Sequence, residues 1–177
     1  MLQRFPDIYF ILYFSVFYVK HAPVEADILI ISPLGIEIIT ILHGSKHFSV
    51  FIEADRFWII EQQKKKEKFI SPVISLRRTE QIVQRILEQL RIEFPVKKTV
   101  VAKEGRIVAS REPYQVQLID RFSYKSWFHE KRVLQSPLKS IQLKAMDALL
   151  QHRQTSAAKR PEWTEKSMAD AEQVEES

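Results

Sequence analysis

Apolar residues follow a strand-like pattern over the first sixty positions of the chain. Runs rich in β-branched and aromatic residues predict five strands, at residues 8–20, 26–32, 36–42, 48–53 and 57–60. The connections between these runs are short, so we expect the strands to form an antiparallel meander. The polar run at residues 61–68 has no apolar periodicity and predicts a solvated loop.

The pattern changes to a helical period at residues 72–92. Ser71 and Pro72 form a strong N-cap and first-turn signal for this helix. Its core-facing stripe recurs at every third or fourth position and consists of Leu76, Thr79, Val83, Ile86, Leu87 and Leu90. Strands are predicted at 96–102 and 116–119, so the helix is a candidate crossover between strands of one sheet.

The last third of the chain carries two more helix signals and a polar tail. Ser123 precedes a short predicted helix, and Ser136-Pro137 repeats the cap-and-proline signal before a helix predicted over residues 138–153. The residues that follow are charged and poor in large apolar groups, which is typical of disorder. We therefore expect a domain at residues 1–135, a C-terminal helix at 136–153 and a disordered acidic tail at 154–177.

Composition limits the kind of protein that this chain can form. Its 177 residues are 45% hydrophobic, enough for one domain with a sizeable core. The absence of cysteine excludes disulfides, thiolate metal sites and a cysteine nucleophile. The formal net charge is +5, but the predicted tail carries −3, so the residues before it carry +8. A body with this charge attracts polyanions such as nucleic acid or anionic lipid.

Residues 8–19 form the most apolar run and admit a second interpretation, as a signal peptide or a membrane segment. A bilayer needs about 20 apolar residues, which is longer than this run. Pro6 and Asp7 stand where a signal peptide carries positive charge. The aromatic and β-branched content favours a buried strand, and we expect a cytoplasmic protein without a membrane partner.

The first predicted hairpin carries a distinctive arrangement of polar residues. Glu25 and Asp27 precede its apolar strand, the turn ends at Gly35, and the second strand continues to Thr40 and Leu42. This arrangement resembles the nuclease-related domain family (NERD), a branch of the PD-(D/E)xK nuclease superfamily. The resemblance places the family's Glu at Thr40 and its Lys at Leu42. It implies a degenerate member that kept the scaffold and lost the Glu-x-Lys pair.

A second stretch carries the same resemblance. Residues 69–75 are similar to the Asn-Pro-x-x-Gln signature that opens the family's main helix, with Ser71 in place of Asn and Ser75 in place of Gln. The likeness covers residues 5–128, although no helix is predicted before the first strand, where the family usually has one. It implies an α/β fold with a restriction-endonuclease-like mixed sheet: an antiparallel meander, a crossover helix, further strands and C-terminal helices.

The positions that the resemblance assigns to catalysis lack the required chemistry. Metal-dependent cleavage needs carboxylates that hold the cation and a lysine near the scissile phosphate. Thr40 is a poor ligand, and Leu42 carries no charge. Glu37 and His43 are the nearest substitutes, but on a regular strand they project away from positions 40 and 42. We therefore expect no intact catalytic site.

Glu25 and Asp27 are the candidate metal ligands that remain. On a strand they share a face and could hold Mg²⁺ weakly. The alternative is that both are solvated residues at the strand entrance. The expected cofactor is therefore none, or a weakly bound divalent cation.

The densest basic region follows the predicted strands. It consists of Lys64, Lys65, Lys66, Lys68, Arg77 and Arg78. One interpretation is a phosphate-contacting edge beside the degenerate site. The alternative is a loop and a helix face kept soluble by charge, since no aromatic residue for base stacking lies within the lysine run.

Three functions follow from these patterns. The one we expect is a catalytically inactive NERD-like domain that binds DNA or RNA through its basic body. A second is a protein-interaction module that uses the last helix or a hydrophobic edge of the sheet. A third is a divergent metal-dependent nuclease whose missing ligands come from a partner chain or an opening helix.

Overall fold

The computed structural model describes residues 6–19, 22–45 and 47–156. These ranges contain ten strands and three helices: β1 (Phe10–Val19), β2 (Ala22–Ser32), β3 (Gly35–Ile41), β4 (Ser49–Ile52), β5 (Phe57–Gln62), β6 (Lys65–Ile70), α1 (Pro72–Gln89), β7 (Val96–Ala102), β8 (Arg106–Ala109), β9 (Val116–Asp120), α2 (Tyr124–Val133), α3 (Ser140–His152) and β10 (Arg153–Ser156). The strands form two mixed sheets, so the protein has a mixed α/β fold.

The larger sheet has six strands in the order β10-β1-β2-β3-β7-β9. The pairs from β10 to β3 are antiparallel, whereas β3, β7 and β9 run parallel to one another. Since α1 precedes β7 and packs against β2, β3 and β7, it lies on the connection between parallel strands. The predictions of the first three strands, of the crossover helix and of the strands after it are confirmed.

The turn between β2 and β3 depends on a glycine. Gly35 has a φ of 140°, and a Cβ at this position would overlap the carbonyl oxygen of Pro95. The next residue, Ile36, donates its N–H to that same oxygen over 2.8 Å. The close approach fixes the start of β3 against the segment that leads into β7.

The smaller sheet has the order β6-β5-β4-β8, with only the β4–β8 pair parallel. We predicted that β4 and β5 would continue the meander of β1 to β3, and this prediction is wrong. The free edge of β3 pairs with β7, so β4 and β5 build a separate sheet. Phe48 lies where the chain passes between the sheets, and its ring packs between Gly44 and Gly105.

The basic segment predicted as a loop at 61–68 is a hairpin. Strand β5 extends to Gln62, and β6 begins at Lys65. Gln63 and Lys64 form the turn with φ of 50° and 64°, the positive values that two-residue hairpin turns require. Because β6 is an edge strand with mostly exposed side chains, it can form without an apolar pattern. Strand β8 was also not predicted.

Buried side chains form two clusters, one on each face of the larger sheet. The main core lies between this sheet, the smaller sheet, α1 and α3, and includes Leu29, Trp58, Leu76 and Leu149. The second cluster lies under α2 and consists of Ile30, Ile39, Val101, Ile119 and Trp127. Side chains of β2 and β3 alternate between the two clusters, as strand geometry requires.

Helix α1 begins as predicted, because the Ser71 hydroxyl accepts a hydrogen bond from the Val73 N–H. The predicted stripe is buried apart from Leu90, which is exposed. Helix α2 begins directly after Ser123, as predicted, but the Ser123 hydroxyl accepts from the Asp120 N–H and makes no capping hydrogen bond to the helix. The last predicted helix also forms, but it starts at Ser140, later than the Ser136-Pro137 signal placed it.

Helix α3 begins at Ser140, after a cap built by a buried amide. The Gln142 side chain accepts from the Lys139 N–H over 2.9 Å and donates to the Ile8 carbonyl over 2.9 Å. Leu149 is fully buried in the main core, so it offers no surface to a partner, whereas Leu150 is exposed. Three residues of the predicted tail, 154–156, belong to β10, and residues 157–177 lie outside the described residues.

No helix in the described part of the chain is long and apolar enough to cross a membrane. Residues 10–19 of the apolar N-terminal run form β1, inside the larger sheet.

Candidate functional site

Asp27 and Thr40 face each other across β2 and β3, one position beyond the paired residues Ile28 and Ile39. The Thr40 hydroxyl donates a hydrogen bond to the Asp27 carboxylate. Thr40 alternates along β3 with Ile36 and Ile38, which lie in the main core, so Thr40 is on that face of the sheet, and its hydrogen bond places the Asp27 carboxylate on the same side. The structure therefore brings together the two positions that the family resemblance assigned to one site.

Asp27 is half-buried, and this burial raises the pKa of its carboxyl above the ordinary value. The Thr40 hydrogen bond lowers the pKa, the negative charge of Glu25 raises it, and the charge of His43 lowers it. The net direction is upward. One interpretation of the sequence was that Glu25 and Asp27 are both solvated. Glu25 is exposed, but Asp27 is half-buried.

Strand parity separates Glu37 from this site but does not separate His43. Glu37 lies within β3 and projects to the opposite face, as predicted. Strand β3 ends at Ile41, so alternation no longer applies two residues later. The charge of His43 lowers the pKa of Asp27, so the imidazole is near enough to act on that carboxyl electrostatically. This effect does not fix where the ring points, and the prediction that His43 projects away stays a prediction.

Leu42 is the position that the resemblance assigns to the family's lysine. It is partly buried against the main core, and its N–H donates to the Val101 carbonyl over 2.8 Å. Across the described ranges, no group of three or more His, Cys, Asp or Glu side chains could hold a metal ion. Weak binding of Mg²⁺ by Glu25 and Asp27 stays a prediction.

Phe14 stands opposite Asp27 on the other neighbouring strand, β1. The register runs from the Tyr13–Ile28 pair to the Ser15–Ala26 pair and leaves Phe14 unpaired between them. Its φ of 46° is uncommon for a bulky residue, and its side chain is 51% exposed. Irregular positions of this kind bend a strand and are frequent beside active sites.

The predicted basic residues occupy two elements. Lys64 to Lys68 lie exposed on the β5–β6 hairpin, while Arg77 and Arg78 lie exposed on α1. The Gln62 side chain at the hairpin tip accepts a hydrogen bond from the Ser45 N–H over 3.0 Å. Since Ser45 follows His43 by two residues, this contact places the basic hairpin tip beside the loop that borders Asp27.

Ser75 is the position that the resemblance assigns to the family's Gln, and its side chain forms a hydrogen bond within its own helix. Its hydroxyl donates to the Pro72 carbonyl over 2.8 Å, and its side chain is exposed in the first turn of α1. This hydrogen bond joins Ser75 to its own helix and not to the Asp27 carboxylate.

A second polar cluster surrounds Glu37 on the α2 face of the larger sheet. One Glu37 oxygen accepts from the Thr99 hydroxyl over 2.6 Å and from the Trp127 indole N–H over 3.3 Å, and the other pairs with Lys131. Burial, and then the charge of Glu37, raise the pKa of Tyr9, whose hydroxyl donates to the Lys131 carbonyl over 2.9 Å.

The Glu37 cluster borders a pocket of about 200 Å³, which Lys97, Gln117 and Glu130 also line. Both Glu37 oxygens already have partners, so its main role is to hold α2 against the sheet. This cluster was not predicted from the sequence. Glu37 is a lone carboxylate within the apolar run of β3. Because a buried charge requires partners, this pattern was the available signal for a polar cluster.

Comparisons with known protein families, with curated proteins and with solved structures find no match for this chain.

Proposed function

We propose that this protein is a catalytically inactive NERD-like domain that binds DNA or RNA through the basic surface beside its degenerate site. The observation that carries the proposal is the pairing of Asp27 with Thr40. One acid of a two-acid site is retained, and the position across from it holds a hydroxyl that donates to that acid.

The order of elements supports a restriction-endonuclease-like scaffold. Three antiparallel strands, β1 to β3, are followed by α1 and then by β7, which is parallel to β3. This is the meander and crossover that the family resemblance implies. Ser71 caps α1 at the position where the resemblance places the family's helix signature.

The donor set argues against metal-dependent cleavage. Mg²⁺ demands several oxygen ligands in near-octahedral geometry, and cleavage also needs a group that stabilises charge at the phosphate. Asp27 offers one carboxylate with a raised pKa, Thr40 offers a hydroxyl, and Leu42 offers an apolar wall. Such a set does not form the cation site that the chemistry requires.

The position of the basic hairpin supports nucleic-acid binding. Its tip contacts the loop beside Asp27 through Gln62 and Ser45, so its lysines lie where a polyanion approaching the old site would meet them. Their exposure leaves them available to phosphates, which lysine binds as a point charge. The charge of +8 on residues 1–153 adds a long-range attraction.

The proposal is tested by fluorescence anisotropy with labelled duplex and single-stranded DNA and RNA at several salt concentrations. Binding should weaken steeply as salt rises, and the variant K64E/K65E should bind more weakly, with the slope of log affinity against log salt reduced by about 1–2. The control variant K125E/R132E makes the same charge change on α2, on the opposite face of the larger sheet.

Two results would contradict this binding proposal. One is an absence of binding at low salt. The other is an equal loss of affinity in the hairpin variant and the α2 variant, because that result would show net charge alone to be responsible.

A further inference from the structure

The smaller sheet has one face in the main core and one face directed outward. Val50, Ile52 and Trp58 are buried in the core, so their strand neighbours point away from it. The outward residues are Ser49 and Phe51 on β4, Phe57, Ile59 and Glu61 on β5, Lys66, Lys68 and Ile70 on β6, and Arg106 and Val108 on β8.

Strand register arranges these outward residues in rows across the sheet. One row is mostly apolar: Val108 pairs with Phe51, Phe51 with Ile59, and Ile59 with Lys68. The next row is polar and runs from Arg106 through Ser49 and Glu61 to Lys66. The face thus combines aromatic rings with cations at both edges.

Each aromatic ring on this face has a cation over it. The Lys68 Nζ lies 4.5 Å from the centre of the Phe57 ring, and the Arg56 guanidinium lies 5.4 Å from the same centre. The Lys66 Nζ lies 5.6 Å from the centre of the Phe51 ring. The sequence suggested that the lysine run had no aromatic partners, whereas the fold supplies them from the neighbouring strands.

We propose that this outward face binds single-stranded nucleic acid, with bases stacked on Phe51 and Phe57 in place of the cations that now cover these rings, and with phosphates held by the displaced Lys66 and Lys68 and by Arg106. Every base has a π-face that can stack on an aromatic side chain, and a basic surface beside the rings tracks the backbone. A duplex keeps its bases stacked inside and cannot use the rings. The inference rests on the proposed nucleic-acid binding and names its substrate class.

The carboxylates near this face indicate where the backbone runs. Glu61 forms an ion pair with Lys66 at 3.5 Å, and Glu53 and Asp55 lie in the turn between β4 and β5. The opposite end of the face leads to the hairpin tip with Lys64 and Lys65. Lys66 and Lys68 therefore hold phosphates on the β6 side, towards that tip, whereas Arg106 on β8 contacts the backbone at the opposite edge of the face.

Charged residues also protect an edge strand from pairing with another chain. That role needs the lysines of β6 alone. It does not account for two half-exposed phenylalanines on the strands behind them, which leave apolar area open to solvent.

The first test uses the wild-type protein and three labelled nucleic acids of equal length: an oligothymidine strand, an abasic strand and a DNA duplex. The abasic strand keeps the phosphates and lacks the bases. We expect the oligothymidine strand to bind at least about tenfold more tightly than the abasic strand, since stacking on an aromatic side chain is worth about 1–3 kcal/mol per base. Equal affinity for these two strands would overturn the inference.

The second test uses the variant F51L/F57L, which keeps apolar volume and removes the rings. It should lose the preference for oligothymidine and keep its affinity for the abasic strand and the duplex. The control Y13L/Y114L removes two exposed aromatic rings elsewhere on the protein. An unchanged preference in F51L/F57L would overturn the inference.

These tests separate the two proposals. If the wild-type protein binds duplex in a salt-dependent way without any preference for bases, the proposed function stands and the single-strand inference fails. If it binds none of the three nucleic acids, both fail.

Discussion

The Thr40 hydroxyl donates a hydrogen bond to the Asp27 carboxylate across the β2–β3 ladder. In the family that this hairpin resembles, a second acid stands at position 40, and a cation joins the two carboxylates. Here a hydroxyl satisfies part of the Asp27 hydrogen-bonding capacity directly, one position beyond the paired residues Ile28 and Ile39.

Replacement of Asp27 by Asn should stabilise the protein near neutral pH. The pKa of Asp27 is raised in the folded state above its unfolded value of about 3.9, so folding disfavours the charged form. This cost is absent below the unfolded pKa and develops as pH rises through the folded pKa. Urea denaturation should show D27N more stable than wild type at neutral pH, with the difference shrinking as pH falls towards about 4.

The control for this prediction is D55N, which removes an exposed carboxylate in the β4–β5 turn. A stability difference for D27N that grows as pH falls, or that D55N reproduces, would show that the environment of Asp27 is not the cause.

Thr40→Glu should create a response to metal ions that the wild-type protein lacks. The new carboxylate would stand across from Asp27, where two negative charges repel in a half-buried site. Without metal we expect a lower melting temperature than in wild type, and with Mn²⁺ a recovery. T40Q has nearly the same shape without the charge and should not respond. Equal melting temperatures of T40E with and without Mn²⁺ would contradict the proposed site geometry.

Lys131→Ala should destabilise the fold because it leaves Glu37 with an unpaired charge. Loss of one partner of a buried ion pair costs about 3–5 kcal/mol, and we expect roughly 2–4 kcal/mol here because the pair retains some exposure. K125A, on the same helix and exposed, should change the free energy of unfolding by less than about 0.5 kcal/mol. The double variant E37Q/K131A should lose less free energy of unfolding than the two single variants lose together.

Tryptophan fluorescence offers a second readout for these variants, because the indole N–H of Trp127 on α2 donates to Glu37. Additive losses in the E37Q/K131A cycle would show that the pair contributes nothing beyond its separate side chains.

Gly105→Ala should destabilise the junction between the two sheets. A Cβ at residue 105 would overlap the buried ring of Phe48, which also packs against Gly44. Overpacking of this kind costs about 1–3 kcal/mol. Phe48→Leu opens space for the new methyl group, so G105A/F48L should lose less free energy of unfolding than the two single variants lose together. If the free energy of unfolding is unchanged in G105A, the ring does not occupy that space.

Local signals predicted much of the fold and the place of the candidate site. The turn before Gly35 set the β2–β3 register, and this register brought positions 27 and 40 together, as expected. Ser71 and Pro72 started α1 where the capping signal placed it. Each of these features depends on residues close together in the sequence.

Contacts between distant segments accounted for what the sequence did not predict. Strands β4 and β5 have the same alternation as β1 to β3, and only the pairing of β7 with β3 decides that they form another sheet. The two partners of Glu37 on α2, Trp127 and Lys131, lie 90 and 94 residues further along the chain. The rings beside the β6 lysines come from β4 and β5, so they are invisible within the lysine run itself.

The central claim, a nuclease-like scaffold without nuclease activity, is tested most directly by nicking of supercoiled plasmid DNA in the presence of Mg²⁺ or Mn²⁺. The wild-type protein and D27A are compared at equal concentration, so that any contaminating nuclease appears equally in both. We predict no nicking that depends on Asp27. Metal-dependent nicking by the wild-type protein that disappears in D27A would contradict the claim and show that the missing ligands come from elsewhere.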